Sequence, residues 1–159
     1  MIGRVEPRRS IAPTGGRRQV RRRPMPLRAL VIWFALLLVA VANGAFREAL
    51  LIPRFGSPAG HVVSTLMLCA GILIVTYLAV PWIQPGSLRD TIAIGLAWLV
   101  LTLAFEFGFG RARGKSWTEL LADYDVLKGR IWVLVLVTTA VAPYLAVRAR
   151  GLLPRRLPP

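Results

Sequence analysis

Four blocks of apolar residues divide the chain: Ala29 to Phe46, Val62 to Trp82, Thr91 to Gly110 and Ile131 to Val147. Each approaches the 17–25 residues that a helix needs to cross about 30 Å of hydrocarbon. None alternates strictly between apolar and polar positions, which disfavours barrel strands. The pattern predicts an all-α integral membrane four-helix bundle over residues 27–147, with spans at about 29–52, 60–82, 89–110 and 131–147. The fourth run is the shortest and contains Pro143. The first is expected to continue past Arg47 to Ile52 and to stop at Pro53, with Gly56 and Pro58 making the turn that follows.

A fifth element is written between the third and fourth runs. Ser116 and Glu119 have the S-x-x-E spacing of a capping box. Trp117, Leu120, Leu121, Tyr124 and Leu127 then recur at i, i+3, i+4, i+7 and i+10, a helical apolar stripe. Gly129 is a good helix stop. The spacing predicts a short amphipathic helix over 117–128, with Trp117 and Tyr124 suited to the headgroup level.

Composition agrees with a membrane protein. Hydrophobic residues make up 55% of the chain, against about 45–50% in soluble domains. The charge then sets an orientation. The formal net charge is +14, and nine arginines precede the first run, with "RRQVRRRP" at their centre. Arg148, Arg150, Arg155 and Arg156 follow the last run, and Arg89 lies in the middle loop. With both termini cytoplasmic, fourteen of the twenty-one basic residues are inside; the other seven are outside, mixed with Glu48, Glu119, Asp123 and Asp125. That is the positive-inside bias, and it predicts a multi-pass protein of the plasma (inner) membrane with the amphipathic helix on its outer face. Residues 1–26 and 148–159 are expected to be basic cytoplasmic tails, the first disordered, that contact anionic lipids. Nucleic-acid binding is disfavoured, because no aromatic residue interleaves with the arginines. A rival reading takes the basic lead and "AVA" at Ala40 to Ala42 as a signal peptide, although the apolar stretch is long for one.

Depth groups the polar side chains. Counted outward at 1.5 Å per residue, Asn43 and Glu106 both lie roughly 22 Å along their helices and Arg47 roughly 28 Å along its own. Asn43 and Arg47 share a face, and Thr102 lies one turn below Glu106. His61, Ser64 and Thr65 stripe the outer half of the second span, and Arg130 begins the fourth. A bare carboxylate in hydrocarbon costs at least about 2.5–3.5 kcal/mol, so Glu106 should face inward and find a partner. The expected arrangement is Glu106 accepting from Arg47, with Arg130 also in reach and Asn43 and Thr102 as neutral donors. A protonated Glu106 and a Glu106 reaching the headgroups are the alternatives. Glu48 is expected to pair with Arg54 or Arg111. Trp117, Asp123 and Tyr124 would form a lid over this cluster, or a connector packed on the bundle.

Several chemistries are missing from the pattern. There is no Walker-type phosphate loop, HExxH, CxxC or GxSxG. One histidine, His61, cannot build a multi-histidine metal site, and no metal or cofactor is expected; haem on His61 with Cys69 or Met67 is disfavoured. The single Cys69 reads as a small packing residue. His61 and Ser64, one turn apart, imitate a base and nucleophile, but no oxyanion donor accompanies them, and packing with a hydrogen bond is the simpler reading. Small residues (Ala40 and Gly44, Ala93 and Ala97) permit close contact within or between chains.

At "NGAFRE", "FEFGFG" and "SWTELLADYDVLKGRIW" the sequence resembles small four-span bacterial inner-membrane proteins of uncharacterised activity, over Leu27 to about Val147. The resemblance implies no activity. The chain is unlike four-helix quinone-linked thiol oxidoreductases, whose paired cysteines it lacks. The expectation is a non-enzymatic structural or accessory subunit with a polar cluster near the outer face, in contact with a membrane partner or a second copy. The alternatives are an oligomeric transporter or channel using Glu106 and Arg47, and a membrane enzyme or lipid-headgroup binder using Arg47 and Arg130.

Overall fold

The computed structural model describes residues 25–122 and 131–152, and every regular element among them is helical. Helix α1 (Met25–Phe46) passes through a π-helical turn (Arg47–Leu51) into the short α2 (Ile52–Phe55). Then follow α3 (Ser57–Ile83), α4 (Leu88–Ala112), α5 (Trp117–Ala122) and α6 (Trp132–Ala149). Four stretches are long and apolar enough to cross a membrane: Met25–Phe55, Ser57–Ile83, Leu88–Ala112 and Trp132–Ala149. Large apolar side chains point outward all round, including Leu38, Leu78, Leu96 and Val100. A continuous apolar shell of this kind is what a lipid-facing bundle presents.

Pro53 does not stop the first helix, contrary to expectation. A proline removes one backbone donor and crowds the carbonyl four residues back. The π turn lies immediately upstream, with the Ile52 N–H bonded five residues back to the Arg47 carbonyl. The widened turn makes room for Pro53, and the helix continues to Phe55. It ends at Gly56, whose φ of 78° is accessible to glycine at low cost. Ser57 and Pro58 then open α3, where a first-turn proline loses no bond. Gly60 packs against Ile52 in this one-residue hairpin.

Helices α1 and α4 run away from the end that carries Arg28 and Arg150, here the near end; α3 and α6 run back toward it. The neighbours are α1 on α3, α3 on α6 and α6 on α4. The core fills the near half and draws on all four helices: Ala29, Trp33 and Leu36; Leu68, Ile72 and Ile83; Ile94 and Trp98; Val135 and Ala142. Trp98, 1% exposed, donates its indole N–H to the Ala29 carbonyl at 2.9 Å. Trp33 donates to Thr102 Oγ1 at 3.1 Å. These two indoles tie α1 to α4. Gly95 lies directly against the Ala140 carbonyl, so α4 and α6 touch backbone to backbone. Small residues permit such contact where lipid supplies no hydrophobic drive between helices.

Pro81, inside α3, leaves the Tyr77 carbonyl without its helical donor. Arg150 supplies one: its Nε donates to that carbonyl at 2.6 Å, with the guanidinium 4.0 Å from the Tyr77 ring centroid. Arg28 acts likewise on the last turn of α3, donating to the Trp82 carbonyl at 2.8 Å over the Trp82 ring. Cations at a helix C-terminus also oppose its dipole.

Candidate functional site

Helix lengths explain where the site lies. Helix α3 has 27 residues and α6 only 18. Val80 packs with Ala146 and Val147, so the near ends of the two helices align. Helix α6 therefore starts roughly opposite Thr65, and about 13 Å of α3 extends beyond it at the far end. A cavity of about 880 Å³ fills this shortfall. Its walls are Leu37, Ala40 and Val41 of α1, His61, Val62 and Thr65 of α3, and Thr102, Phe105, Glu106 and Phe109 of α4. Trp132, at the start of α6, also lines it. Arg47, Arg113 and Lys115 add three cations. Val41, Val62 and Phe109 are 58%, 41% and 51% exposed, so the cavity opens through an apolar rim.

Helix α5 covers part of it. Both halves of the capping box form: Glu119 N donates to Ser116 Oγ at 3.2 Å, and Ser116 N donates to Glu119 Oε2 at 2.7 Å. The backbone N–H and then the hydroxyl of Ser116 hold the Glu119 carboxyl below its ordinary range. The buried Leu120 lies against Gly110 of α4, where a Cβ would collide with it. Trp117 points outward, beside Phe107 and under the Arg111 guanidinium. Asp123 and Tyr124, the other members of the expected lid, and the rest of the 117–128 helix lie outside the described residues, as does Arg130.

The polar residues gather in the far half but pair differently from expectation. Glu106 Oε2 accepts from the Trp132 indole at 2.8 Å, joining α4 to α6. Arg47 forms its ion pair with its neighbour Glu48 at 3.1 Å, not with Glu106, and Glu48 therefore pairs with neither Arg54 nor Arg111. Asn43 turns to α3 and donates to the buried Ser64 Oγ at 2.8 Å. Thr102 accepts from Trp33 rather than serving Glu106. The reason is rotational: the face of α1 that carries Asn43 packs on α3, and the π turn begins at Arg47. His61 Nδ1 bonds the Ser57 carbonyl at 2.7 Å, while Ser64 Oγ bonds Asn43, so the two side chains have separate partners.

Arg47, His61, Thr102 and Glu106 thus share the cavity, while Asn43 and Ser64 bridge two helices beside it. Trp132, Arg113 and Lys115 were not singled out by sequence. The depth count that placed Glu106 would have reached Trp132, since an indole N–H is a carboxylate donor. Among the described residues no group of three or more histidine, cysteine or acidic side chains could hold a metal ion. Fold and cavity together define an all-helical chain of four potential membrane spans with an amphipathic recess at one end. Comparison with protein-family models, curated proteins and solved structures finds no match.

Proposed function

We propose that the chain is a non-enzymatic multi-pass membrane protein that holds a membrane amphiphile in its far-end cavity. The near end faces the cytoplasm, because the basic excess lies on that side. The cavity then lies in the outer half of the membrane, and α5 rests at the outer surface. One observation carries the reading: a recess of about 880 Å³ whose rim is apolar and exposed while its far edge is cationic. Binding sites of about 300–1,000 Å³ that combine apolar walls with a few polar groups are the usual form of a small-ligand site. The hydrogen bonds of Asn43, Ser64 and Thr102 join helices and contribute to the scaffold.

Fluorescence in vesicles tests this. Acyl chains brominated near mid-chain quench indoles that they touch. In vesicles of brominated phosphatidylcholine, Trp132→Phe should remove a large share of the quenched emission. Trp82→Phe, which removes an indole at the near-end boundary, should remove little. Quenching that is unchanged by Trp132→Phe would refute occupancy of the cavity by a lipid chain.

A further inference from the structure

We propose that the cavity selects an anionic lipid, with the phosphate held by Arg113 and Lys115, assisted by Arg47, and the acyl chain lying between α1 and α4. This rests on the amphiphile reading and names its ligand class. The chain alone cannot provide selection. Moving an acyl chain from bilayer to an apolar cleft exchanges like for like, since lipid tails are as apolar as leucine. Discrimination must come from the headgroup, and three cations line the cavity against one carboxylate, Glu106. Arg47 is partly neutralised by Glu48. Arg113 and Lys115 form no ion pair among the described residues; the Arg113 guanidinium stands 5.6 Å from the Phe109 ring centroid. The Lys115 charge also acts on the Glu119 carboxylate, so Arg113 is the principal cation and Lys115 the second.

The arrangement also sets the ligand's direction. Arg113 lies seven residues beyond Glu106 along α4, about 10 Å closer to the far end. Arg113 and Lys115 attract a phosphate at the mouth, while Glu106 at the floor accepts from Trp132 and offers a phosphate no donor. Leu37, Val41, Phe105 and Phe109 offer the chain an apolar path out to the exposed rim. A phosphate with a hydrocarbon chain satisfies both ends; a free anion leaves the apolar walls without an occupant.

A cation near an anionic headgroup gives roughly a fivefold preference. Arg113 and Lys115 together should give roughly ten- to thirtyfold. The test uses the full chain in phosphatidylcholine vesicles that carry a minority of brominated phosphatidylglycerol or, separately, brominated phosphatidylcholine. The anionic lipid should quench Trp132 at roughly tenfold lower mole fraction. The Arg113→Gln/Lys115→Gln variant should lose that difference and keep the quenching by brominated phosphatidylcholine, which also reports that it is folded. Equal quenching of the unaltered chain by both lipids would overturn the anionic assignment and leave the amphiphile reading standing. Absence of Trp132 quenching by either would overturn both. Full reversal by inorganic phosphate at matched ionic strength would make this a free-anion site and overturn the lipid assignment.

Discussion

Arg150→Ala should destabilise the bundle through one carbonyl, and a second substitution should suppress most of that effect. Pro81 cannot donate to the Tyr77 carbonyl, and Arg150 Nε replaces the missing donor at 2.6 Å. A hydrogen bond from a charged donor contributes about 1.5–3 kcal/mol, and the exposure of this one puts it at the lower end. The guanidinium over the Tyr77 ring adds about 0.5–1 kcal/mol. Loss of both gives about 2 kcal/mol for Arg150→Ala. In a Pro81→Ala background the residue-81 N–H restores the helical bond, leaving only the ring contact to lose, about 0.5–1 kcal/mol. The coupling energy of the cycle is therefore about 1 kcal/mol. Titration of detergent-solubilised protein with dodecyl sulfate, followed by far-ultraviolet circular dichroism, measures all four corners. Tyr77→Leu isolates the ring contribution. Equal costs of Arg150→Ala in the two backgrounds would refute the assignment of Arg150 as the surrogate donor.

Gly95→Ala should cost about 1–3 kcal/mol, because its methyl meets the Ala140 backbone and α4 must move off α6; Gly110→Ala meets only the tip of Leu120 and should cost at most about 1 kcal/mol. The same unfolding titration ranks them, and the reverse order would contradict the packing described. In intact cells, Ser57→Cys should react with a membrane-impermeant maleimide and Arg89→Cys should not, with the buried Cys69 silent in both; labelling of Arg89→Cys alone would invert the orientation. The lowered Glu119 pKa means that its capping contribution is complete above the unfolded carboxylate value and is lost as pH falls through the folded value. Nuclear magnetic resonance titration should show Ser116→Ala moving Glu119 only part of the way back up, because the backbone N–H of residue 116, the larger cause, is retained; an unmoved titration would show that the Ser116 hydroxyl does not contribute.

The four long helices were legible because a helix fit to cross a membrane must meet length and apolarity by itself, and runs such as Val62 to Trp82 satisfy both without reference to a neighbour. The capping box was legible for the same reason, since Ser116 and Glu119 need only each other. What depended on helix rotation was not. Depth grouped Glu106, Arg47, His61 and Thr102, and these four line one cavity, but depth carries no angle. Asn43 faces α3, and Glu106 meets Trp132. The π turn at Arg47–Leu51 carries no simple composition signal, so Pro53 read as a stop. The brevity of the fourth run was visible as a length; its consequence, a recess where α3 and α4 outreach α6, needed the alignment of Val80 with Val147.

A structure determined by crystallisation from a lipidic mesophase would examine the recess itself. Elongated density should run from Arg113 and Lys115 along Phe109 and Val41 toward Trp132, between α1 and α4. Walls closed onto one another, with Val41 against Phe109 and no room for a chain, would contradict the proposal that this bundle carries a lipid.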